Sequence, residues 1–543
     1  MQFQPLKRSE TPDIFNDYLH NPEKIRAFYP HHFTRNWAKV IDERSHFTIP
    51  RAELVAALRS QHSRWNTGKA TLQHIEKLAD SNTFAVVTGQ QAGVLGGPLY
   101  TFFKTMTVIN LAKQLQQQFP EKQFVPVFWL EVNDSDFAEI AKTHYLTKEN
   151  ELKTLQLDES PDEADKPIAA RKISDAVAKW REIADADFFD TEFKSAALDA
   201  FIGSYKSGRG YADAFADLLL TFFGEHGLVL FDPSGSGVCR LAQPLFEKAL
   251  TNADKILNVA NQRNNELSDA GYGTQIHFNP NQTLLFLNDK NARRVRVDID
   301  DSGQFLLKYP DGHRPVARED LLKTCSDSPQ YLSPNVALRP LMQDSLLPTV
   351  AYVGGPSEVA YFAQVAALYS HFEIPMPVIF PRHRLTIVEG KIQKQIDKNE
   401  LDFAEILENR PDFIDTVIRN GAGQQLFNSV ESTSKTISDT LNALHSQLEA
   451  VDPTLVNSLE KTRDSIEGNF EKLSGKIVRS LEQRNETLVR QLEKIQLNLL
   501  PGGNYQERVL SMLYFIVKYG PDFVENLLEN LPEDPSPHYI VKL

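Results

Sequence analysis

Five short apolar runs punctuate residues 81–389: Thr83–Val87, Phe124–Leu130, Gly227–Phe231, Thr349–Val353 and Met376–Phe380. None alternates polar with apolar, the pattern of strands covered on both faces. Glycine or polar residues follow each run. Helical spacing follows the first four, over Tyr100–Leu115, Phe137–Lys142 and Arg240–Asn258 and through Tyr361, Ala363, Gln364 and Ala367. Recurring strand–helix units predict an α/β fold with a Rossmann-like, doubly wound parallel sheet.

Other stretches break this rhythm. Residues 1–80 read as a polar helical segment packing on the core, with helix-like spacing at Arg51–Leu58 and Thr71–Leu78. Two insertions are expected in the 81–389 core. One, at about 147–205, is rich in Glu, Asp, Lys and Ala, partly helical and poor in strand signals. Tyr211–Phe223 follows as an amphipathic helix. The other, at about 265–330, carries strands Thr283–Leu287, Val295–Ile299 and Phe305–Tyr309, with a hairpin turn at Asp300–Gly303. Over 390–500 the apolar positions step by three and four: Ile437, Leu441, Leu444, Leu448 and Val451; Ile466, Phe470, Leu473 and Ile477; Leu488, Leu492 and Ile495. This heptad spacing, broken by Pro453, predicts a long helical coiled coil pairing with a second copy; a compact bundle is the alternative. A single helix over Thr454–Asn498 would be about 65 Å long at ~1.5 Å per residue. Residues 501–543 are expected to return to the core as helices.

Composition narrows the function classes. A length of 543 residues suggests three or four domain-sized units. A net charge of −14 argues against a general nucleic-acid or acidic-membrane binder. Two cysteines, Cys239 and Cys325, give no disulfide framework and no cysteine-based zinc site. No apolar leader and no run of ~18 apolar residues is present, so the expected location is the cytoplasm. The adjacent His31 and His32 do not share a helix face, which favours a surface or interface role over a metal site.

Candidate chemistry clusters where the apolar runs end, since open parallel sheets bind ligands outside the carboxyl ends of their strands. The first run leads into Gly89, Gln90, Gln91, Gly93, Gly96 and Gly97, then Tyr100 and Lys104. Glycines in such a turn let backbone N–H groups approach an anion, although an ordinary tight connection has the same look. The second leads into Asp134 and Asp136, placed for an amine, a hydroxyl or a metal, or simply for capping a helix. Asp232 follows the third run. Arg339 precedes the fourth and Gly354, Gly355 and Glu358 follow it. Arg382 follows the fifth.

The blocks VVTGQQAGVLGGPLYTFFK, PVFWLEVNDSDFAEI, GLVLFDP, LRPLMQDSLLPTVAYVGGPSEVAYFAQ, PMPVIFPR and QERVLSMLYFIVKYGPDFV resemble, in order, the bacillithiol biosynthesis cysteine-adding enzymes, the cysteine ligases. They span about residue 85 to 530. The resemblance implies an enzyme that joins the carboxyl of L-cysteine to the amine of glucosaminyl-malate. It also implies a Rossmann core related to class I synthetases, connecting-peptide insertions and a dimerising coiled coil. ATP is the activating cosubstrate by analogy with synthetase-like folds, though nothing in the sequence itself shows it, and no metal site is evident. On the same basis Gln90, Gln91, Gly93, Gly96 and Gly97 form a turn facing nucleotide or substrate. Lys104 meets a phosphate or a malate carboxylate, or is a solvated lysine. Asp134 and Asp136 hold the cysteine ammonium or take a proton. Arg339 and Arg382 bind carboxylate or phosphate, or form structural ion pairs. Gly354, Gly355 and Glu358 shape a second turn. The chain departs from the family in having Asn133 and Ser135 where Glu and His are usual, and His144 is a conceivable substitute, or a plain surface histidine. The synthetase histidine motif is also missing from the first turn. Two other classes stay open: another ATP-dependent amide-forming or nucleotidyl-transferring enzyme, and a non-catalytic coiled-coil scaffold.

Overall fold

In the computed structural model of the protein all residues are described except 7–12, 35, 280, 301, 409–411 and 422. Five strands, β1 (Thr83–Gln91), β2 (Gln123–Glu131), β3 (Val229–Phe231), β4 (Thr349–Gly354) and β5 (Val378–Pro381), pair in parallel. Their order is β3-β2-β1-β4-β5, so the order reverses between β1 and β4. This is the doubly wound arrangement, and its ligand crevice opens where the order reverses. Residues 83–89 of β1 and 124–130 of β2 are buried throughout, which is why these runs show no alternation. The helices that position the site are α1 (Leu99–Gln118), α2 (Phe137–Ile140) and α3 (Pro356–Phe372).

Several boundaries differ from expectation. β1 runs on through Gln91 in register with Glu131, so Gly89, Gln90 and Gln91 are strand, and the turn proper is Ala92–Pro98. α2 is one short turn. Lys142 and His144 stand on an antiparallel hairpin, Lys142–Leu146 with Leu152–Gln156, in a region read as poor in sheet. The helix expected over Arg240–Asn258 is two, Ser236–Thr251 and Ala253–Asp269, parted at Asn252. The second insertion is a five-stranded antiparallel sheet rather than a three-stranded one. Its expected turn includes Asp301, which lies outside the described residues; Gly303 N–H donates to the Asp300 carbonyl at 2.9 Å. His31 is buried with its Nε2 2.9 Å from Glu43, a structural role rather than a surface one.

The chain divides into two units, residues 1–386 with 507–541 and residues 387–506 with 542–543. In the second, helix Gln424–Ala443 packs against Thr454–Arg484, with Ser438 Oγ 2.9 Å from Glu467 Oε1. The expected single helix over Thr454–Asn498 is interrupted at Asn485 and resumes at Glu486–Leu499. In the first unit, one of the contacts that hold the late segment is a buried pair: Arg382 Nη1 and Nη2 lie 2.8 and 2.7 Å from the two oxygens of Glu507. Burial works to raise the Glu507 carboxyl, but Arg382 and the Leu385 N–H outweigh it and hold it below its ordinary value.

Because that value is depressed in the folded state, the contribution of Glu507 is complete above its unfolded value near 4.5 and is lost as pH falls below it. Glu507→Gln, which leaves Arg382 buried without a counter-ion, should cost about 3–5 kcal/mol at pH 7. Urea unfolding at pH 7 and pH 4 checks both magnitude and sign: the gap between wild type and variant should narrow in acid.

Candidate functional site

A cavity of about 540 Å³ opens at the switch point. The ends of β1, β2 and β4 form its floor, and the first turns of α1 and α3 form its sides. The chain leaves β1 through three successive residues with positive φ, Leu95, Gly96 and Gly97. Glycine accepts that backbone freely, whereas a leucine is held there only by its surroundings. At the other rim, a Cβ on Gly354 would come within 3.0 Å of the Glu358 side chain, so the absence of one lets α3 start close to β4.

Lys104 organises the floor. The residue is 3% exposed, and its Nζ donates to the Gly89 carbonyl at 2.8 Å and to Gln90 Oε1 at 3.0 Å. It is paired with Glu358 Oε2 at 2.5 Å. Glu358 in turn accepts from the Gly355 N–H at 2.8 Å and from Tyr352 OH at 2.6 Å. Burial pushes the Lys104 ammonium below the ordinary lysine value, against the pull of Glu358. Burial works to raise the Glu358 carboxyl, and Lys104 and the Gly355 N–H overcome it, keeping it below its usual value. Burial likewise pushes the Tyr100 phenol, which receives a 3.2 Å bond from Gln90, up to about 12.

Acidic and basic groups share the remaining wall. Asp134 accepts from the Ser135 N–H at 2.7 Å and lies 3.3 Å from both Gln91 Nε2 and Arg294 Nη1. Arg294 comes from the second insertion, stacked 3.7 Å over the Phe286 ring. Glu131 ends β2, where burial raises its carboxyl against the pull of Arg339 and Arg294. Arg339 is held by Gln343 at 3.1 Å and Tyr361 OH at 3.3 Å. Glu139 accepts from Gln91 at 2.6 Å, and Arg508 completes the lining. The cavity thus presents carboxylates and guanidinium groups together, a set suited to a zwitterion.

Of the residues singled out in the sequence, Gly89, Gln90, Gln91, Tyr100, Lys104, Asp134, Arg339, Gly355, Glu358 and Arg382 line this cavity. The others stand elsewhere. Gly96 packs on Phe102 and Leu218, and Gly354 lies beneath Glu358. Gly93, Gly97 and Asp136 line a neighbouring cavity, and Asp136 caps α2 through the Glu139 N–H at 3.2 Å. Asp232 follows the edge strand β3, where it is paired with Arg64 at 2.7 Å and bonded to Ser234. Arg382 is already committed to Glu507. His144 lines the neighbouring cavity, bonded to Thr154 at 2.8 Å. Sequence reading missed Glu131, Glu139, Arg294, Tyr352, Tyr361 and Arg508. Glu131 was within reach, as the polar end of an apolar run; Arg294 and Arg508 carry no local signal. Among the described residues no group of three or more His, Cys, Asp or Glu could hold a metal ion.

Glu358→Gln should destabilise the protein by about 3–5 kcal/mol, because it strands a buried ammonium. The double variant Lys104→Met/Glu358→Gln should recover most of that loss, the coupling being read from a double-mutant cycle in guanidinium.

Comparison with known proteins agrees with this architecture. Residues 1–383 match the family model for the bacillithiol biosynthesis BshC N-terminal Rossmann-like domain, and residues 385–543 that for the BshC C-terminal coiled-coil domain. A protein named "Putative cysteine ligase BshC" from Salinibacter ruber is 35% identical over 99% of this chain and 97% of its own length. Proteins of the same name from Chloroherpeton thalassium and Bacillus cereus are 33% and 29% identical, over 95% and 98% of this chain and 94% and 98% of their own. A solved structure titled "putative arginyl t-RNA synthetase" from Campylobacter jejuni covers 89% of this chain and 98% of its own, at 13% identity. Its TM-score of 0.21 is too low to bear on the fold. With both halves of the chain matched in order, the protein belongs to the bacillithiol biosynthesis BshC family.

Proposed function

We propose that the protein is a cysteine ligase that forms an amide between the carboxyl of L-cysteine and the amine of glucosaminyl-malate. The observation that supports this most directly is the mixed lining of one cavity, with Glu131, Asp134 and Glu139 beside Arg294 and Arg339. A carboxylate meets an amino acid's ammonium, and a guanidinium meets its carboxylate in bidentate fashion. Asp134 has Gln91 and Arg294 to orient it and takes the proton that the attacking amine loses. Lys104 is spent on Glu358, so its part is to hold the two strand ends in place. Amide formation from a free carboxylate needs activation, and ATP is the cosubstrate that supplies it, turning the carboxylate oxygen into a leaving group. Arg339, bonded among the described residues only to Gln343 and Tyr361, retains N–H donors to meet anionic groups.

The coiled-coil unit points to a homodimer. Its helices leave Leu444, Val451 and Leu473 exposed at 40%, 78% and 45%, positions of the heptad pattern that one copy does not cover.

Incubation of purified protein with cysteine, glucosaminyl-malate and ATP, followed by mass spectrometry, should give a product equal to both substrates less one water. No product in the presence of ATP removes the proposal, and equal product without ATP removes the cosubstrate. Asp134→Asn should lower kcat/KM by roughly 10²–10⁴-fold; full activity would take the proton-acceptor role from Asp134. Sedimentation should report a dimer, shifted toward monomer by Leu444→Glu with Leu473→Glu.

A further inference from the structure

A second cavity, of about 420 Å³, adjoins the first. One wall is the Gly93–Thr101 turn and helix start, a second is Lys142–His144 of the hairpin, and a third is Arg508 and Val509. Backbone bonds suture these walls together. Leu99 N–H donates to the Leu510 carbonyl at 2.8 Å, and Ser511 N–H donates to the His144 carbonyl at 2.8 Å. Arg508 is thereby fixed where the two cavities meet and lines both, as do Gln90, Gln91, Tyr100 and Glu139.

The charges of this second cavity are unspent. Neither the Lys142 ammonium nor the Arg508 guanidinium has an ion-pair or hydrogen-bond partner among the described residues. His144 keeps Nε2 free after its Nδ1 bonds Thr154. Thr101 and Thr143, both buried, also line the cavity, and the hydroxyl of each lacks a partner among the described residues. Buried hydroxyls without partners are rare because they are costly, and these two belong to residues of the cavity wall. The carboxylates at the rim are occupied, Asp136 with the cap of α2 and Glu139 with Gln91.

Taking the ligase reading above as its premise, we propose that this second cavity holds the dicarboxylate end of the amine substrate. The malyl carboxylates sit on Lys142 and Arg508. The sugar crosses the shared wall at Gln91 and Glu139, and its amine enters the first cavity, where the cysteine carboxyl is held. The division follows from which cations are already paired: in the first cavity Lys104 is spent on Glu358, Arg294 on Asp134 and Arg382 on Glu507, whereas Lys142 and Arg508 in the second have no ion-pair partner among the described residues.

Malate itself is the probe, titrated into the full-length protein by calorimetry. Lys142→Gln, at a residue outside the first cavity, should weaken malate binding about tenfold. Thr143→Val should weaken it about threefold while raising Tm, because it removes an unmet buried hydroxyl. In turnover both variants should raise KM for glucosaminyl-malate and leave KM for cysteine unchanged. Unaltered malate affinity in both variants, with circular dichroism showing intact folds, overturns the proposal, as does a wild type that makes product but does not bind malate. Failure of the ligase reading is separately visible: a wild type that binds malate, loses it in Lys142→Gln, and makes no amide.

Discussion

A buried ammonium must be matched, and the matching of Lys104 ties together the two halves of the sheet. Its three partners are the Gly89 carbonyl, the Gln90 side chain and Glu358. The first two belong to the end of β1 and the third to the start of α3, which follows β4. Glu358 also receives the N–H of Gly355 and so fixes where α3 begins. One desolvated charge therefore sets the spacing of both turns that flank the switch point. The cost of burying it is offset only when all these groups are in place, which makes the floor of the cavity rigid before any ligand arrives.

Rigidity at the floor contrasts with the walls. Arg294 arrives from an inserted sheet, Arg508 from the late segment, and Asp134 from the end of β2. Each is positioned by its own local partners: the Phe286 ring, the backbone around Leu510, and the Gln91 amide. The scaffold thus supplies geometry, and peripheral segments supply charge, in the manner of other open α/β sheets.

The sheet was legible in the sequence because strands buried on both faces write themselves as unbroken apolar runs. Helix starts were legible for a similar reason, through glycine and proline punctuation. The hairpin at 142–156 was not, because polar residues such as Lys142, His144 and Lys153 mask its short alternation. Half of the site could be named from strand ends alone. Asp232 shows where that logic fails: it too follows an apolar run, but β3 is an edge strand, and strand order is not written locally. Arg294 lies 160 residues from the Asp134 it contacts, and no spacing rule reaches that far. Gly89–Gln91 were read as turn because glycine and glutamine are poor strand residues; pairing with β2 across all nine positions overrides that preference.

The two backbone bonds that Leu510 and Ser511 make to Leu99 and His144 bear on biosynthesis. A ribosome finishes β1, α1 and β2 hundreds of residues before it reaches Leu510. Until then the first turn and the hairpin lack the segment that sutures them, and neither Arg508 nor Glu507 exists. A partly made chain can therefore form sheet and most of the cavity lining but lacks Arg508 and the partner of Arg382, and premature termination anywhere before Ser511 yields a protein without a finished site.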